Sequence, residues 1–282
     1  MRRLLGGLLL VVLVLTGCGG DDGDDGDDAA GGTTSSSSST ETTRAEASDV
    51  PAGLSVVVTN DDGYAAPGID AMVEGLRATP GIEVTVVAPA GERSGTGGNT
   101  TEGALTTSDV TTASGYEATA VEGFPADTVR VALDDLDLEP DLVVSGINSV
   151  QNLGLLTDVS GTVGAAKAAA SRGIPALAVS AGQDSAGSPD YATAAAQALS
   201  WLEDHRGELA TGEAEAVVTN MNVPTCPDGS VREQVEVPVA TESGEEVLDA
   251  AAVQCASGLA DPADDVEGFN NGYVTVSELE AA

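Results

Sequence analysis

The chain has 282 residues and carries 10 Lys+Arg against 46 Asp+Glu, a formal charge of −36. That balance excludes a basic face for nucleic acid. Aromatic residues make up only 2%, yet hydrophobic residues as a whole reach 41%, enough for an aliphatic core and too many for a wholly disordered chain.

Met1-Arg2-Arg3 is a basic start, and Leu4 to Leu15 is an apolar stretch too short to span a bilayer comfortably, so residues 1–17 read as an export signal. The stretch ends in Leu15-Thr16-Gly17-Cys18, which resembles the lipobox of bacterial lipoproteins. That resemblance implies Cys18 as the lipidated first residue of the mature chain, an extracytoplasmic location, and membrane attachment through the N-terminal lipid only. Residues 18–50 run through Gly/Asp, Thr/Ser and mixed polar sequence with nothing spaced to bury a face, and read as a tether. The acidic run Asp21, Asp22, Asp24, Asp25, Asp27 and Asp28 is a spacer in this reading. As a metal site it would pay ordering entropy for every ligand.

Residues 51–282 form the folded part, with 7 basic against 37 acidic residues, a net of −30. A surface this acidic, with Lys167 its one lysine, suits high ionic strength, where repulsion is screened. The pattern predicts a strand at Leu54 to Val58, a turn at Asn60-Asp61-Asp62-Gly63, and a helix after Pro67-Gly68 with apolar positions Ile69, Met72, Val73 and Leu76. A second strand, Val84 to Ala88, runs into a long Gly-rich loop. A third, Leu142 to Val144, ends in Ser145-Gly146-Ile147-Asn148. A helix follows from Thr162 to Ser171, then a strand from Ala176 to Val179, helical spacing from Tyr191 to Leu202, and a strand from Ala216 to Val218. After Pro224 the alternation weakens into a smaller irregular β region with a final strand at Tyr273 to Val276. This order is that of an α/β fold, a mostly parallel sheet with helices on both faces.

Ligands of such sheets gather at the carboxyl ends of the strands. There the chain places Asp61-Asp62, then Arg93-Ser94-Gly95, then Asn148. Two carboxylates, a hydroxyl and an amide oxygen make an all-oxygen set suited to a hard divalent cation, Mg²⁺ or Mn²⁺, and unsuited to a zinc site. Ser160-Gly161-Thr162 opens a helix facing the same way, and helix amino ends bind phosphate through free N–H groups and the dipole. A cation beside a phosphate cradle points to phosphoryl chemistry. Gly95, Gly97 and Gly98 do not make a dinucleotide loop, because position 100 is Thr where the third glycine belongs. Ser94 has no His or Lys partner in its motif, so a ligand role fits it better than a nucleophilic one. The only histidine, His205, falls in the polar tail of a helix and reads as a surface residue.

Four motifs in order, Val58-Thr59-Asn60-Asp61-Asp62-Gly63 with Ala66-Pro67-Gly68, Val87-Ala88-Pro89 with Arg93-Ser94-Gly95, Val144-Ser145-Gly146-Ile147-Asn148 with Asn152-Leu153-Gly154, and Ser160-Gly161-Thr162-Val163, resemble the SurE family of 5′/3′-nucleotidases. The weaker segments Gly123 to Asp127, Gly173 to Ser180, Asn222-Val223-Pro224 and Gly272-Tyr273-Val274 fall in the same order. The resemblance implies a SurE-like, Rossmann-like fold and a metal-dependent phosphomonoesterase acting on nucleoside monophosphates or other small phosphate esters. It makes Asp61, Asp62, Ser94 and Asn148 the metal ligands and Asn152, Ser160, Gly161 and Thr162 the phosphate-contacting segment. The catalytic role falls to Asp61, with Asp62 as its partner in orienting or deprotonating water. Two other readings share these residues: a broad acid phosphatase or exopolyphosphatase, and a lipoprotein that binds nucleotide or metal without turnover.

Departures from the family pattern are specific. Val150 stands where glycine is common, which predicts a differently shaped loop. Leu155 and Leu156 replace frequent acidic residues, and Val159 replaces a common aromatic. The stretch from Pro224 to Gly272 is shorter than typical and the chain ends soon after Leu279, so the family's homo-oligomer is an open expectation here. Cys226 and Cys255 remain after Cys18, and export to an oxidising compartment predicts a disulfide between them.

Overall fold

A β-branched run that alternates its side chains between two faces starts the sheet. In the structure, a computed structural model describing residues 53–227, 230–242, 247 and 252–281, strand β1 spans Leu54–Thr59. The export signal, Cys18 and the tether lie outside the described residues. Val56 and Val58 point into one aliphatic cluster while Val57 points into another on the opposite face. Helix α1 (Pro67–Ala78) opens with proline in its first turn and buries Ile69, Met72, Val73 and Leu76 in the first cluster. Strand β2 (Ile82–Pro89) then pairs parallel to β1.

After the glycine-rich loop come β3 (Thr107–Thr111), β4 (Glu117–Val121) and the short helix α2 (Pro125–Arg130). Strand β5 (Leu142–Asn148), helix α3 (Gly161–Ala170), strand β6 (Ala176–Ala181), helix α4 (Tyr191–Thr211) and strand β7 (Val218–Val223) complete the alternating pattern. Strand β8 (Gln234–Glu236), helix α5 (Asp265–Asn270) and strand β9 (Val274–Leu279) follow. The strands form one sheet in the order β3-β4-β2-β1-β5-β6-β7-β9-β8. Helices α1 and α4 cover one face, and α2 and α3 the other.

The expected α/β class and two-faced cover hold, with several refinements. The sheet is mixed, since β3 runs antiparallel to β4 and β9 antiparallel to β7. The C-terminal β region is an extension of the main sheet, because β9 pairs with β7 from Val218 to Asn222 and carries β8 on its outer edge. Strand β5 runs four residues beyond Val144, so Ser145 to Asn148 are strand and not loop. Strand β7 starts later than Ala216 and runs through two buried asparagines, Asn220 and Asn222. Helix α4 continues past Leu202 to Thr211 and ends on Gly212 in the left-handed conformation. His205 therefore lies inside the helix and is half-buried, its ring stacked 4.2 Å from Trp201 and its Nδ1 2.7 Å from the Trp201 carbonyl, which corrects its reading as a surface residue.

With β2 on one side of β1 and β5 on the other, the chain reverses its direction of travel between β1 and β5. That reversal opens a crevice at the strands' carboxyl ends. A third, small cluster of Leu153, Val247 and Phe269, with Leu156, Val253 and Val266, lies beneath the segment that leaves β5.

Candidate active site

Asp61 and Asp62 emerge at the end of β1, where Asn60 closes the turn by accepting the Gly63 N–H at 3.1 Å and donating to the Gly63 carbonyl at 3.0 Å. Asp61 is 2% exposed. Its Oδ1 accepts the hydroxyl of fully buried Thr162 at 2.7 Å, and the Thr162 N–H, in the first turn of α3, also donates to it. Gly161 makes this approach possible, because a β-carbon there would stand 2.8 Å from the Asp61 β-carbon. Burial pushes the Asp61 carboxyl above its ordinary range while the Thr162 bonds pull it back. Asp62, half-buried, is pushed up to about 6 by desolvation, then by the charges of Asp61 and Glu92, against one N–H bond from Ser149.

That bond links the end of β1 to the residue following Asn148 at the end of β5. Asn148 is 7% exposed and commits its amide nitrogen to the Val150 carbonyl at 2.5 Å, so the side chain is held by its NH₂ group and its oxygen remains for a ligand. Val150 itself does not take up a positive φ; among the described residues that lack glycine's freedom only Asp137 does. The loop thus accommodates the β-branched residue without the left-handed conformation that a glycine there would permit. Tyr191, at the start of α4, bonds Ser149 and feels the Asp62 charge, which raises its hydroxyl pKa after desolvation has done so. The sequence pattern carried no signal for Tyr191 as a neighbour of the acidic pair.

Ser94 is placed differently. The backbone N–H of Arg93 donates to the Asp61 carbonyl at 2.7 Å, which ties the loop to the end of β1. Ser94 is exposed, however, and both its N–H, at 2.6 Å, and its hydroxyl pair with Glu92. The same loop is anchored at Thr101, whose N–H reaches Asp127 at 3.0 Å, and at Gly97, whose N–H donates to Val159 at 2.9 Å. Gly164 on α3 lets this loop close, since a β-carbon there would fall 2.1 Å from the Gly97 carbonyl oxygen. Beside Ser94 opens a cleft of 460 Å³ lined by Arg93, Thr96, Thr101, Glu122 and Phe124.

The phosphate-type residues converge on the other side of Asp61. Asn152 donates through Nδ2 to Ser180 Oγ at 2.9 Å and toward Thr162 Oγ1 at 3.5 Å, giving a directed chain from Asn152 through Thr162 to Asp61. Its backbone is gripped by β7, where Asn222 Oδ1 accepts its N–H at 2.7 Å and Asn220 and Asn222 donate to its carbonyl at 2.9 and 3.2 Å. Ser160 caps α3 by accepting the Val163 N–H at 3.1 Å. The first turn of α3 therefore faces Asp61, with Gly161 against its carboxylate. Leu155 and Val159, 53% and 54% exposed, sit on the surface of the segment between Asn152 and Ser160.

The donor set fits a hard divalent cation. Two adjacent carboxylates, neither in an ion pair among the described residues, repel each other in a poorly solvated crevice, which a cation would relieve. Among the described residues no three His, Cys, Asp or Glu side chains gather as a metal cluster. The acidic pair must be completed by neutral oxygens and water, as Mg²⁺ and Mn²⁺ accept and a nitrogen- and sulfur-seeking metal does not.

Residues 56–246 match the family model described as Survival protein SurE. The chain is 41% identical over 180 residues to the 5′-nucleotidase SurE of Carboxydothermus hydrogenoformans, covering 62% of this chain and 66% of that protein. It is 40% identical over 195 residues to the 5′-nucleotidase SurE of Pelobacter propionicus, covering 68% and 72%. The matches thus span about two thirds of the relatives' length. The fold is similar to the crystal structure of the SurE protein from Aquifex aeolicus, with a TM-score of 0.65 at 25% identity over 81% of this chain and 94% of that one.

Proposed function

Because the chain belongs to the SurE family, we propose that it is a divalent-metal-dependent phosphomonoesterase that hydrolyses nucleoside monophosphates to nucleoside and phosphate at Asp61 and Asp62. The observation that carries this reading is the acidic pair at the sheet's switch point, its Asp61 buried, braced by Thr162 and faced by the amino end of α3. Asp61, Asp62 and Asn148, with Ser94 from the adjoining loop, are the residues that would hold the cation, Mg²⁺ or Mn²⁺. Bound there, the cation neutralises phosphoryl charge and lowers the pKa of a water.

The chain's own groups do the rest. The Thr162 hydroxyl and N–H oppose the rise that burial imposes on the Asp61 carboxyl. Asn152 and the first turn of α3 receive the phosphoryl oxygens and stabilise the charge that develops on them. The acidic pair orients the attacking water and takes its proton, with Asp61 in the principal role and Asp62 as its partner. No imidazole serves here, because His205 lies 14 residues along α4 from Tyr191, about 21 Å at helical rise. The nucleoside occupies the cleft beside Ser94, whose lining includes the aromatic Phe124 and the positively charged Arg93 of a strongly acidic molecule.

We place the protein outside the cytoplasm, anchored through Cys18. The basic start, the apolar stretch and Leu15-Thr16-Gly17-Cys18 support this. So does the disulfide joining Cys226 to Cys255, with Cα atoms 5.9 Å apart. Labelling with a fatty-acid analogue tests the anchor: label retained by Cys18→Ala would refute it. The metal site is tested by titrating Mn²⁺ and following its EPR signal. One bound ion per chain, lost in Asp62→Asn, is expected; equal binding by the variant would overturn the assignment.

A further inference from the structure

The segment from Asn152 to Ser160 carries the phosphate end of the site, yet it is a loop and a single five-residue 3-10 turn, Gly154–Asp158. Something must hold it in register. One end is gripped by Asn220 and Asn222, and the other merges into α3. The start of its turn, Gly154, is held from the far end of the sequence. Asp265, on α5 and 0% exposed, accepts the Gly154 N–H on Oδ2 at 2.9 Å and the Ala240 N–H on Oδ1 at 2.8 Å. Its own N–H donates to the Pro238 carbonyl at 3.0 Å. From Gly154 the turn continues by its own bonds: the Thr157 hydroxyl to the Gly154 carbonyl at 2.8 Å, then the Ser160 N–H to the Leu156 carbonyl at 3.1 Å. The small apolar cluster of Leu153, Val247 and Phe269 lies under the same stretch.

We infer that Asp265 is a positioning residue for phosphate recognition, fixing through Gly154 the distance between Asn152 and Ser160 while leaving the acidic pair to be set by β1 and Thr162. The inference rests on the reading of Asn152 to Thr162 as the phosphate side of a phosphomonoesterase. A buried carboxylate bonded to two backbone N–H groups is a strong, directional clamp, and Asp265→Asn matches its size while turning one acceptor into a donor that faces an N–H.

The test compares Asp265→Asn with Asp264→Ala in the full chain. Asp264 caps the same helix, accepting the Glu267 N–H at 2.9 Å, and makes no bond to the 154–158 turn. It therefore controls for simple loosening of α5. With wild-type turnover established, Asp265→Asn is expected to raise KM and the inhibition constant of inorganic phosphate roughly tenfold, with Mn²⁺ affinity within twofold of wild type. Asp264→Ala is expected to lower the melting temperature comparably and leave the phosphate constant unchanged. Equal losses of phosphate and Mn²⁺ affinity in Asp265→Asn, the same phosphate loss in Asp264→Ala, or an unchanged phosphate constant would each overturn the inference. A wild-type chain without turnover would instead overturn the functional reading on which it rests.

Discussion

Removing the Thr162 hydroxyl while keeping its shape, as Thr162→Val, isolates the bond that opposes the effect of burial on the Asp61 carboxyl. Both groups are buried, at 0% and 2% exposure, and the bond is 2.7 Å long. A hydrogen bond to a charged group in such a place contributes about 1.5–3 kcal/mol. Its loss acts on the ionised form alone, so the Asp61 pKa rises further. Asp61 already lies above its ordinary value because of burial, and the shift has the same sign. The expected result is an acid limb of kcat/KM that moves to higher pH, with Mn²⁺ affinity reduced most at the acid end. Rates measured from pH 5 to 9 for wild type, Thr162→Val and Thr162→Ser decide the matter. The serine variant retains the hydroxyl and is expected to keep the wild-type limb. A valine profile that superposes on wild type, or a serine variant as displaced as the valine one, would refute the reasoning.

Asp62→Asn is expected to stabilise the metal-free protein. The folded-state value of about 6 exceeds the ordinary 3.8, so the favourable contribution of the protonated carboxyl is complete below about 4 and is lost as pH rises through 6. Thermal melts in EDTA should therefore show a gain on the order of 1 kcal/mol at pH 7.5, discounted for solvent screening, and none at pH 3.5. Gly161→Ala places a β-carbon 2.8 Å from the Asp61 β-carbon and should abolish turnover by displacing either α3 or Asp61, while circular dichroism still reports a folded α/β chain. Replacing both Cys226 and Cys255 by serine removes a cross-link closing a 29-residue separation and should cost about 3–4 kcal/mol in urea unfolding. Unchanged stability would mean the C-terminal segment is held by packing alone.

The parts of the fold that were legible in the sequence are those where burial and period coincide. The strands Leu54 to Val58 and Ala176 to Val179 and the helical positions Ile69, Met72, Val73 and Leu76 are marked by apolar residues because they face the core, and the strand ends pointed directly to Asp61, Asp62 and Asn148. Strands β3 and β4 escaped notice because β3 is an edge strand whose residues are almost all exposed, so no apolar alternation marks it. The span of β7 was obscured by Asn220 and Asn222, which are buried for hydrogen bonding to Asn152 and not for hydrophobic reasons. Polar residues inside an otherwise apolar strand were the available signal, and Asn222-Val223-Pro224 was noticed without a role. Tyr191 and Asp265 could not be found locally, since each acts across the fold, Asp265 over 111 positions. Ser94 shows the converse: its motif is present, while its hydroxyl is turned to Glu92.

The central claim is that Asp61 and Asp62 make this chain a metal-dependent nucleotidase. Phosphate release from nucleoside 5′- and 3′-monophosphates and p-nitrophenyl phosphate, with Mg²⁺, Mn²⁺ or EDTA and beside Asp61→Ala, tests it most directly. Release that requires the metal and disappears in the variant is the predicted result. A folded protein that binds nucleotide yet releases no phosphate with either metal, or an Asp61→Ala variant as active as wild type, would contradict the account.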